Sequence, residues 1–520
     1  MREFVLTEEG LKDVLAWEVA DYFLPEFDRE KMIAQTKAAP LWIHFGAGNI
    51  FRAFQANVVQ NLLNDGIMEQ GLIVAEGYDY DIVTKMNQPH DNYHILVTLK
   101  ADGSVRKTVI GSVAESLVLD PMDVISFERL QEIFRADSLQ LASFTITEKG
   151  YCLTDANGIF LPAVRRDFEG GPKCPESYLG KVAALLYARF CSAQKPLAMV
   201  SMDNCSHNGD LLRSAITAYA EHWSKNKQVE PDFINYVQNP NSVSFPCTMI
   251  DKITPRPASS VQDMLIADGV ADASPIVTEK GVHIAPFVNA EQCEYLVIED
   301  VFPNGRPPLE KGGVFFASRE VVDQVERMKV CTCLNPLHTA LAIFGCLLGY
   351  DLICKEMENP TLKRLVELIG YEEGLPVVTD PGIIDPKEFL DTVLKVRIPN
   401  PFMPDTPQRI GTDTSQKLAV RFGETIKAYA ASPDLDPTSL VGIPLVLAGW
   451  LRYLEGVDDA GNAFAISPDP ALESRTPALS NAQIFGVNLF DVGLAEKVSS
   501  FLDEMNTGIG AVKRTLEKYV

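Results

Sequence analysis

The residues best suited to chemistry lie in one short segment, where an amine, an amide and an imidazole stand within ten residues. They are Lys329, Asn335 and His338, in an otherwise apolar stretch. Burying such groups costs free energy unless each finds a partner. Together they can exchange a proton, hold an oxyanion and orient a hydroxyl, which is what alcohol–ketone chemistry without a metal requires. The alternative is a structural helix with a surface lysine, an N-cap asparagine and a core histidine.

The spacing of these three residues does not suit one regular helix. Asn335 and His338 are three residues apart and share a helical face, whereas Lys329 is six and nine residues away and lies off that stripe. Residues that precede proline avoid the α region, so a break or a 3₁₀ turn before Pro336 would bring Lys329 into line.

Two further places carry candidate substrate contacts. Asn204 follows a strand pattern, where its amide could donate to a developing oxyanion. The next polar residues, Asn208-Gly-Asp210, favour a turn and a helix cap instead. Arg409 and Lys417 precede or open a long helix pattern and could hold a polyhydroxylated or carboxylate-bearing substrate. Their alternative role is that of ordinary charges near a helix N-terminus.

A glycine turn indicates a dinucleotide site. Gly46-Ala-Gly48-Asn49-Ile-Phe51-Arg52 follows a strand pattern and opens a helix pattern, which would aim free backbone N–H groups at a pyrophosphate. Phe51 stands where the usual motif has its third glycine, so a plain turn before a core helix is the alternative. Arg52 would lie over the pyrophosphate or pack its stem on the surface.

An acidic residue after the second strand pattern would read the adenosine ribose. Glu76 closes that strand and favours NAD over NADP, because a carboxylate repels a 2′-phosphate. Asp79 and Asp81 are competitors for this role, and the alternative for each of the three is a solvated loop carboxylate.

The elements that must position these groups form two domains. Apolar runs at 41–45, 72–75, 141–147 and 197–202 alternate with helix patterns and end in polar residues, which predicts a parallel sheet covered on both faces with ligands at the strands' carboxyl ends. Residues 93–110 read as a hairpin inserted into this sheet, with Asp102-Gly103 at its turn.

Beyond the boundary the patterns become helical. We predict an α/β Rossmann-type domain with a parallel sheet over residues 1–318 and a mainly α-helical substrate domain over 319–520. The predicted helices cover 319–330, 335–357, 360–370, 413–431, 441–455 and 479–518. The segment with Lys329 would then open the second domain and face the first across a cleft.

Composition narrows the possible partners. The 520 residues carry a formal charge of −24, which argues against nucleic acid and anionic membranes as partners. We see no apolar run of membrane length and no basic–apolar leader at the N-terminus. Ten scattered cysteines, with no short-spaced quartet, indicate reduced thiols and a cytoplasmic protein without a bound metal. A monomer or small homo-oligomer is expected.

The motifs as a set resemble the polyol-specific long-chain dehydrogenases, the mannitol dehydrogenase family. The resemblance rests on the glycine turn, on 326–338 and on four further stretches at 145–151, 202–209, 297–307 and 449–458, and it covers nearly the whole chain. It implies an NAD-dependent oxidoreductase of carbohydrate metabolism that works on a small sugar acid or polyol.

Carried over by residue, the resemblance implies Lys329 as general acid/base and Asn204 with Asn335 as oxyanion holders. His338 would orient the reacting hydroxyl. The remaining implied roles are substrate binding for Arg409 and Lys417, and a proton or water gate for Glu326, whose alternative is a helical ion pair. A buried lysine is required, because only desolvation lets the amine work as a base near neutral pH.

The chain departs from the family pattern by one extra residue between Lys329 and Asn335 and by Pro336 in place of glycine.

The segment Asn335-Pro-Leu-His338-Thr339 is closer to the uronate-reducing members than to the mannitol members, so reduction of D-fructuronate to D-mannonate is the favoured activity. Mannitol–fructose and tagaturonate chemistry are the alternatives. From other classes, a catalytically silent NAD- or sugar-binding protein and a redox-neutral epimerase remain open.

Overall fold

A computed structural model describes residues 3–470 and 477–520, which fall into two compact units. As far as described, the first unit runs to Leu99 and from Val105 to Val322, and the second contains Lys100–Ser104 and Asp323–Val520. The sequence placed the division after residue 318, whereas in the structure it falls inside the helix Arg319–Met328. Because that helix crosses the division without a break, no stretch of linker-like sequence marks the place where the first unit ends.

All strands of the described residues lie in the first unit. In chain order they are β1 (Tyr22–Phe23), β2 (Trp42–Phe45), β3 (Leu72–Glu76), β4 (His94–Leu99), β5 (Val105–Ile110), β6 (Val113–Val118), β7 (Leu141–Phe144), β8 (Leu197–Ser201), β9 (Val243–Ser244), β10 (Thr248–Asp251), β11 (Ile276–Val277), β12 (His283–Ile284), β13 (Phe287–Glu291), β14 (Tyr295–Glu299) and β15 (Phe315–Ala317).

The main sheet has six parallel strands in the order β6-β3-β2-β7-β8-β9. This is the doubly wound order, in which the winding reverses between β2 and β7 and ligands bind at the carboxyl ends of those two strands. Ile43 and Phe45 of β2 pack into the hydrophobic core on one face, and Trp42 packs into the core on the other. The predicted Rossmann-type fold with a parallel sheet is confirmed.

The predicted hairpin exists, but its predicted place in the parallel sheet is wrong. β4 and β5 pair in antiparallel fashion, and Gly103 has a φ of +83° at the turn. Their outer edges pair with β13 and β1, which makes a separate sheet in the order β1-β5-β4-β13. Local turn chemistry predicts a hairpin, whereas its edge partners come from distant parts of the chain. The other small sheets are β10-β14-β15 and β11-β12.

The helices of the first unit cover the sheets. The α-helices are Val14–Val19, Arg29–Ala38, Ala56–Asn64, Val124–Arg135, Pro162–Gly170, Tyr178–Phe190, Asn208–Lys225, Asp232–Gln238 and Ser259–Asp268, with π-helical turns at Phe51–Gln55 and Ile82–Asn87 and 3₁₀ turns at Gly10–Lys12, Gln88–His90, Glu148–Tyr151 and Leu309–Gly312.

The described part of the second unit is helical around one hydrophobic core. From the division onward the α-helices are Arg319–Met328, Asn335–Leu348, Ile353–Glu356, Pro360–Glu367, Pro386–Thr392, Pro407–Ile410, Thr414–Leu418, Glu424–Ala431, Gly442–Tyr453, Ala482–Phe485, Ala495–Met505 and Ala511–Tyr519, with π-helical turns at Lys329–Cys333, Leu368–Gly374, Val393–Arg397 and Ala419–Gly423 and 3₁₀ turns at Leu375–Val377 and Pro437–Ser439. The predicted helical domain is confirmed.

Two predicted helices are too long. The helix predicted over 335–357 ends at Leu348, where Gly349 adopts a left-handed φ of +77°. The helix predicted over 479–518 is three separate helices. Gly486, with a φ of +81°, ends the first, and Gly510, with a φ of +74°, is the N-cap of the third. A left-handed glycine ends a helix, and the apolar period on both sides concealed these ends.

One helical stretch contradicts the expectation of no apolar run of membrane length. Within the described residues, Arg319–Leu348 is long enough to cross a membrane, and its most apolar window has a mean hydropathy of 1.5. Since 83% of that window is buried inside the protein, the stretch is the core helix of a folded domain, which meets the same criteria of length and composition.

A buried acid lies against this helix. Glu356 is fully buried, and neither carboxyl oxygen has a hydrogen-bond partner within the described residues. A Cβ added at Gly345 would lie 2.2 Å from one of those oxygens, so the packing is close. Burial raises the pKa of Glu356 well above its ordinary value.

We expect Glu356→Met to raise the free energy of unfolding at neutral pH by about 1–3 kcal/mol, because it removes an unsatisfied buried polar group. A carboxyl with a raised pKa stabilises the fold below its unfolded pKa of about 4.3, and that stability is lost as pH rises. Urea unfolding at pH 5 and pH 8 should therefore show a larger gain at pH 8. Glu356→Gln, which keeps the polar atoms, should remove the pH dependence with a smaller gain. A less stable methionine variant at pH 8 would contradict this account.

Candidate active site

The glycine turn lies where the winding of the sheet reverses. Gly46 follows β2 with a φ of +106°, and its N–H donates to the carbonyl oxygen of Ala75 over 2.9 Å. A Cβ on Gly46 would lie 2.3 Å from the backbone oxygen of Thr145, just after β7. Only glycine fits this conformation and this approach.

Gly48 has a different role from Gly46. Its φ is not in the left-handed region, and a Cβ added to it would meet nothing within 4 Å among the described residues. The side chain of the next residue, Asn49, donates to the carbonyl oxygen of Pro255 over 3.1 Å and so anchors the start of the helix. The backbone at Gly48 is thus open to a ligand at a helix N-terminus, as a phosphate-binding turn requires.

Phe51 explains the missing third glycine. Its ring is buried and stacks on His44 of β2, with 4.5 Å between ring centroids. The His44 ring bonds Ser143 and Thr145 of the neighbouring strand end at 2.6 and 2.8 Å, and burial lowers the pKa of His44 to about 3. An aromatic pair therefore forms the helix–strand contact for which the usual motif employs glycine.

Arg52 is buried, which excludes surface packing of its stem, one of the two alternatives that the sequence left open. Its exposed fraction is 3%, its Nη1 lies 3.5 Å from the carbonyl oxygen of Phe287, and its buried Nε has no partner within the described residues. Burial lowers the pKa of Arg52 to about 10, so the guanidinium stays charged at neutral pH. A desolvated and incompletely bonded cation beside the glycine turn fits an anionic group such as a pyrophosphate.

Of the three acids proposed for the ribose, Glu76 is the one at the glycine turn. Its carboxylate accepts the N–H of Ala47 at 2.8 Å and that of Tyr78 at 2.7 Å. Burial raises the pKa of Glu76, and these backbone donors partly offset the shift. Asp79 instead accepts from Thr278 at 2.5 Å, and Asp81 pairs with Lys85 at 2.7 Å.

Asn204 lies just beyond a carboxylate that organises two strand ends. Asp203 accepts the N–H groups of Ile146 and Thr147, each at 2.9 Å, and the Tyr151 hydroxyl at 2.6 Å. Thr147 has a φ of +64° and ψ of 160°, which costs a non-glycine residue about 1–3 kcal/mol. The hydrogen bonds of Asp203 thus stabilise a strained turn, and the next residue, Asn204, is exposed. Sequence analysis missed Asp203, although its place at a strand end was a signal.

Asn208 is structural, as its turn-like context indicated. It is fully buried, and its amide donates to the carbonyl of Asp203 at 2.9 Å and to the Thr248 hydroxyl at 2.9 Å. Its amide oxygen accepts the N–H of Thr248 at 2.9 Å. It is the first residue of its helix, and the N-cap position belongs to His207.

In the second unit, the helix breaks at Leu334, just before Pro336, as one of the two predicted alternatives required, and the turn that precedes the break is π-helical, not 3₁₀. The turn spans Lys329–Cys333 and continues the preceding helix, and the N–H of Leu334 donates to the carbonyl of Lys329 over 3.1 Å. A bond between residues five apart adds one residue to the turn. This accommodates the extra residue between Lys329 and Asn335.

The side chains around this turn meet the burial requirement. Lys329 is 3% exposed, whereas Asn335 and His338 are half-buried on the first turn of the next helix. Glu326 is half-buried one turn before Lys329, and its role as a gate stays a prediction. The structure therefore places the amine on the π-helical turn and the amide and imidazole on the first turn of the helix that follows it.

The two basic residues proposed for substrate differ in their surroundings. Arg409 has a side chain 63% exposed and is paired with Asp405 four residues earlier. Lys417 is half-buried, and its amine donates to the backbone carbonyl of Thr412. Burial, and then the neighbouring Arg421, lower the pKa of Lys417.

Arg421 is a further cation beside the candidate site, and sequence analysis did not single it out. It lies in the π-helical turn Ala419–Gly423, and its Nη1 donates to the Thr339 hydroxyl at 2.5 Å. That hydroxyl donates in turn to the backbone carbonyl of Asn335 at 2.9 Å. The available signal was its spacing of four residues from Lys417, which puts both cations on one helical face.

We expect Gly48→Ala to fold normally and to weaken NADH binding about tenfold or more. The methyl group meets no atom of residues 3–470 and 477–520 within 4 Å, so it would occupy only the space that a ligand approaches. Thermal unfolding checks the fold, and fluorescence titration with NADH checks binding. Wild-type NADH affinity in this variant would contradict a dinucleotide at the turn.

The chain matches the mannitol dehydrogenase Rossmann domain over residues 41–311 and the mannitol dehydrogenase C-terminal domain over 321–516. It is 51% identical to the D-mannonate oxidoreductase of Thermotoga maritima over 99% of each chain.

Two solved structures cover the same length. A D-sorbitol dehydrogenase in substrate-free form matches with a TM-score of 0.80 at 25% identity, over 96% of this chain and 98% of that one. The mannitol 2-dehydrogenase of Pseudomonas fluorescens, in a ternary complex with NAD and D-mannitol, matches with a TM-score of 0.69 at 25% identity over 99% of both chains.

Proposed function

The chain belongs to the mannitol dehydrogenase family of oxidoreductases, and we propose that it interconverts D-fructuronate and D-mannonate with NAD as cofactor. The observation that carries this proposal is the 51% identity to the D-mannonate oxidoreductase of Thermotoga maritima over 99% of each chain. The half-buried cation pair of Lys417 and Arg421 supports it, since D-mannonate carries a carboxylate.

The first unit would hold the cofactor. Gly48 and the helix N-terminus would approach the pyrophosphate, Arg52 would balance its charge and Glu76 would accept from the ribose. NAD supplies the acceptor for the hydride that leaves the alcohol carbon, and NADH supplies the hydride for reduction. The carboxylate of Glu76 supports NAD as the preferred form, since a 2′-phosphate near it would be repelled. Asn204 stays a predicted oxyanion donor of this unit.

The second unit would supply the proton chemistry. In oxidation, the neutral Lys329 amine accepts the proton of the reacting hydroxyl while that carbon loses its hydride. The Asn335 amide donates to the oxygen as it gains negative charge, and His338 holds the hydroxyl in the orientation that Lys329 needs. In reduction the Lys329 ammonium returns the proton to the same oxygen.

A panel of ketone substrates with NADH tests the proposal. We expect the highest kcat/KM with D-fructuronate, and lower values with D-tagaturonate and D-fructose. A preference for fructose would instead assign the mannitol 2-dehydrogenase activity. NADH binding without net oxidation of NADH on any of the three would indicate a silent binding protein or an epimerase.

We also propose that the protein works in the cytoplasm as a monomer or small homo-oligomer. All ten cysteines are free thiols, which suits a reducing compartment. Light scattering after gel filtration measures the assembly, and fractionation of cells measures the location.

A further inference from the structure

Among the described residues of its unit, Arg421 is a cation without a matching carboxylate. Its Nη1 donates to the neutral Thr339 hydroxyl at 2.5 Å, and among the described residues no carboxylate pairs with it. It remains charged at neutral pH, although burial lowers the pKa of Arg421 to about 10. A desolvated guanidinium is costly unless an anion completes its hydrogen bonds.

Arg421 lies next to the segment that carries the proposed amide and imidazole, Asn335 and His338. Thr339 follows His338 directly, and its hydroxyl also donates to the backbone oxygen of Asn335 at 2.9 Å. Lys417 lies four residues before Arg421, and its amine donates to the backbone carbonyl of Thr412, with the carboxylates of Asp413 and Asp469 also near it. Two cations therefore share one helical face next to the segment that holds the proposed amide and imidazole.

We propose that Arg421 recognises the terminal carboxylate of the sugar acid and sets the preference for an acid over a neutral polyol. This inference rests on the proposed function. Its planar fork of donors can bind both carboxylate oxygens at once, which the point charge of Lys417 cannot. A neutral polyol would leave the guanidinium desolvated and unmatched, so the same residue would disfavour it. Arg409 differs, since it is largely exposed and already paired with Asp405.

The test compares D-mannonate with its neutral isostere D-mannonamide, each oxidised with NAD. In the wild type we expect kcat/KM to favour the acid by about 100-fold, as a charge-assisted bidentate contact would provide. Arg421→Gln should lower kcat/KM for mannonate by about 30- to 100-fold and change it less than about threefold for mannonamide. Arg421→Lys should give an intermediate preference, because it keeps the charge and loses the fork.

Two control variants separate recognition from a structural role. Arg364→Gln removes an exposed arginine of the same unit that pairs with Glu372 at 2.6 Å, and it should leave the preference unchanged. Thr339→Val removes the hydroxyl that Arg421 contacts and keeps the cation. If Arg421 only braces the two helices, Thr339→Val and Arg421→Gln would lower both activities equally, and the inference is overturned.

The two proposals fail in different measurements. A wild type that does not oxidise mannonate with NAD would refute the proposed function. A wild type that does so, with a folded Arg421→Gln or Arg421→Lys variant of unchanged preference, would refute the role of Arg421 alone. Thermal unfolding of each variant establishes that it is folded, and the lysine variant provides the result if the glutamine variant does not fold.

Discussion

Lys329→Ala should lower kcat for D-fructuronate reduction by about 10²- to 10⁴-fold and leave NADH binding intact, because a positioned general acid contributes roughly that much to rate. Lys329 is 3% exposed and starts the π-helical turn before Asn335 and His338. The residues proposed to bind the cofactor all lie in the first unit, so NADH affinity should stay within about twofold.

A matched control and a rescue experiment sharpen this prediction. Lys427→Ala removes an exposed lysine of the same unit, paired with Glu424 at 2.7 Å, and should leave kcat unchanged. Small primary amines added to Lys329→Ala should restore part of the rate, with larger effects as pH rises and more of the amine is neutral. Near wild-type turnover in Lys329→Ala would refute its role as general acid/base.

Gly46→Ala should destabilise the first unit by roughly 2–4 kcal/mol and abolish measurable NADH binding. The added Cβ would lie 2.3 Å from the backbone oxygen of Thr145, and the φ of +106° is unfavourable for any residue with a side chain. Relief requires the turn to move away from β7, which displaces the helix N-terminus that would hold the pyrophosphate. Urea unfolding and NADH titration measure the two effects.

Gly48→Ala is the natural comparison for this variant. The two substitutions add the same methyl group two residues apart, but Gly48 has no left-handed φ and no described atom within 4 Å of its Cβ position. Stability should therefore separate the two variants, while NADH binding should fall in both. Equal stability of Gly46→Ala and the wild type would show that the turn tolerates a side chain.

Local sequence patterns predicted the elements around the site well. The strand runs before Gly46 and Glu76 and the helices of the second unit follow from apolar periodicity, which depends on neighbours in the chain. The same patterns missed helix ends such as Leu348, where a single left-handed glycine interrupts an apolar period. They also failed to place the β4–β5 hairpin, whose edge strands come from distant positions.

The spacing from Lys329 to Asn335 shows where pattern reasoning stops. An extra residue between them required some irregularity, and the proline favoured a tight turn before it. The structure has the wider π-helical turn at Lys329–Cys333. Both turns satisfy the backbone locally, so the choice depends on packing: Met328, Cys333 and Leu334 all lie in the core of the second unit.

The amino-acid sequence alone established the α/β and helical halves, the glycine turn, the acid at the end of β3 and the segment Lys329–His338. These are local properties, since periodicity, turn chemistry and motif spacing act between residues close in the chain. Only the three-dimensional packing showed that Arg52 is buried, with no partner for its Nε in the described part of the chain, that Asp203 bonds the turn at Thr147, and that Arg421 reaches Thr339. Each of these three findings depends on residues that are distant in the chain and close in space. Burial and charge pairing are set by such neighbours, so the local sequence does not contain them.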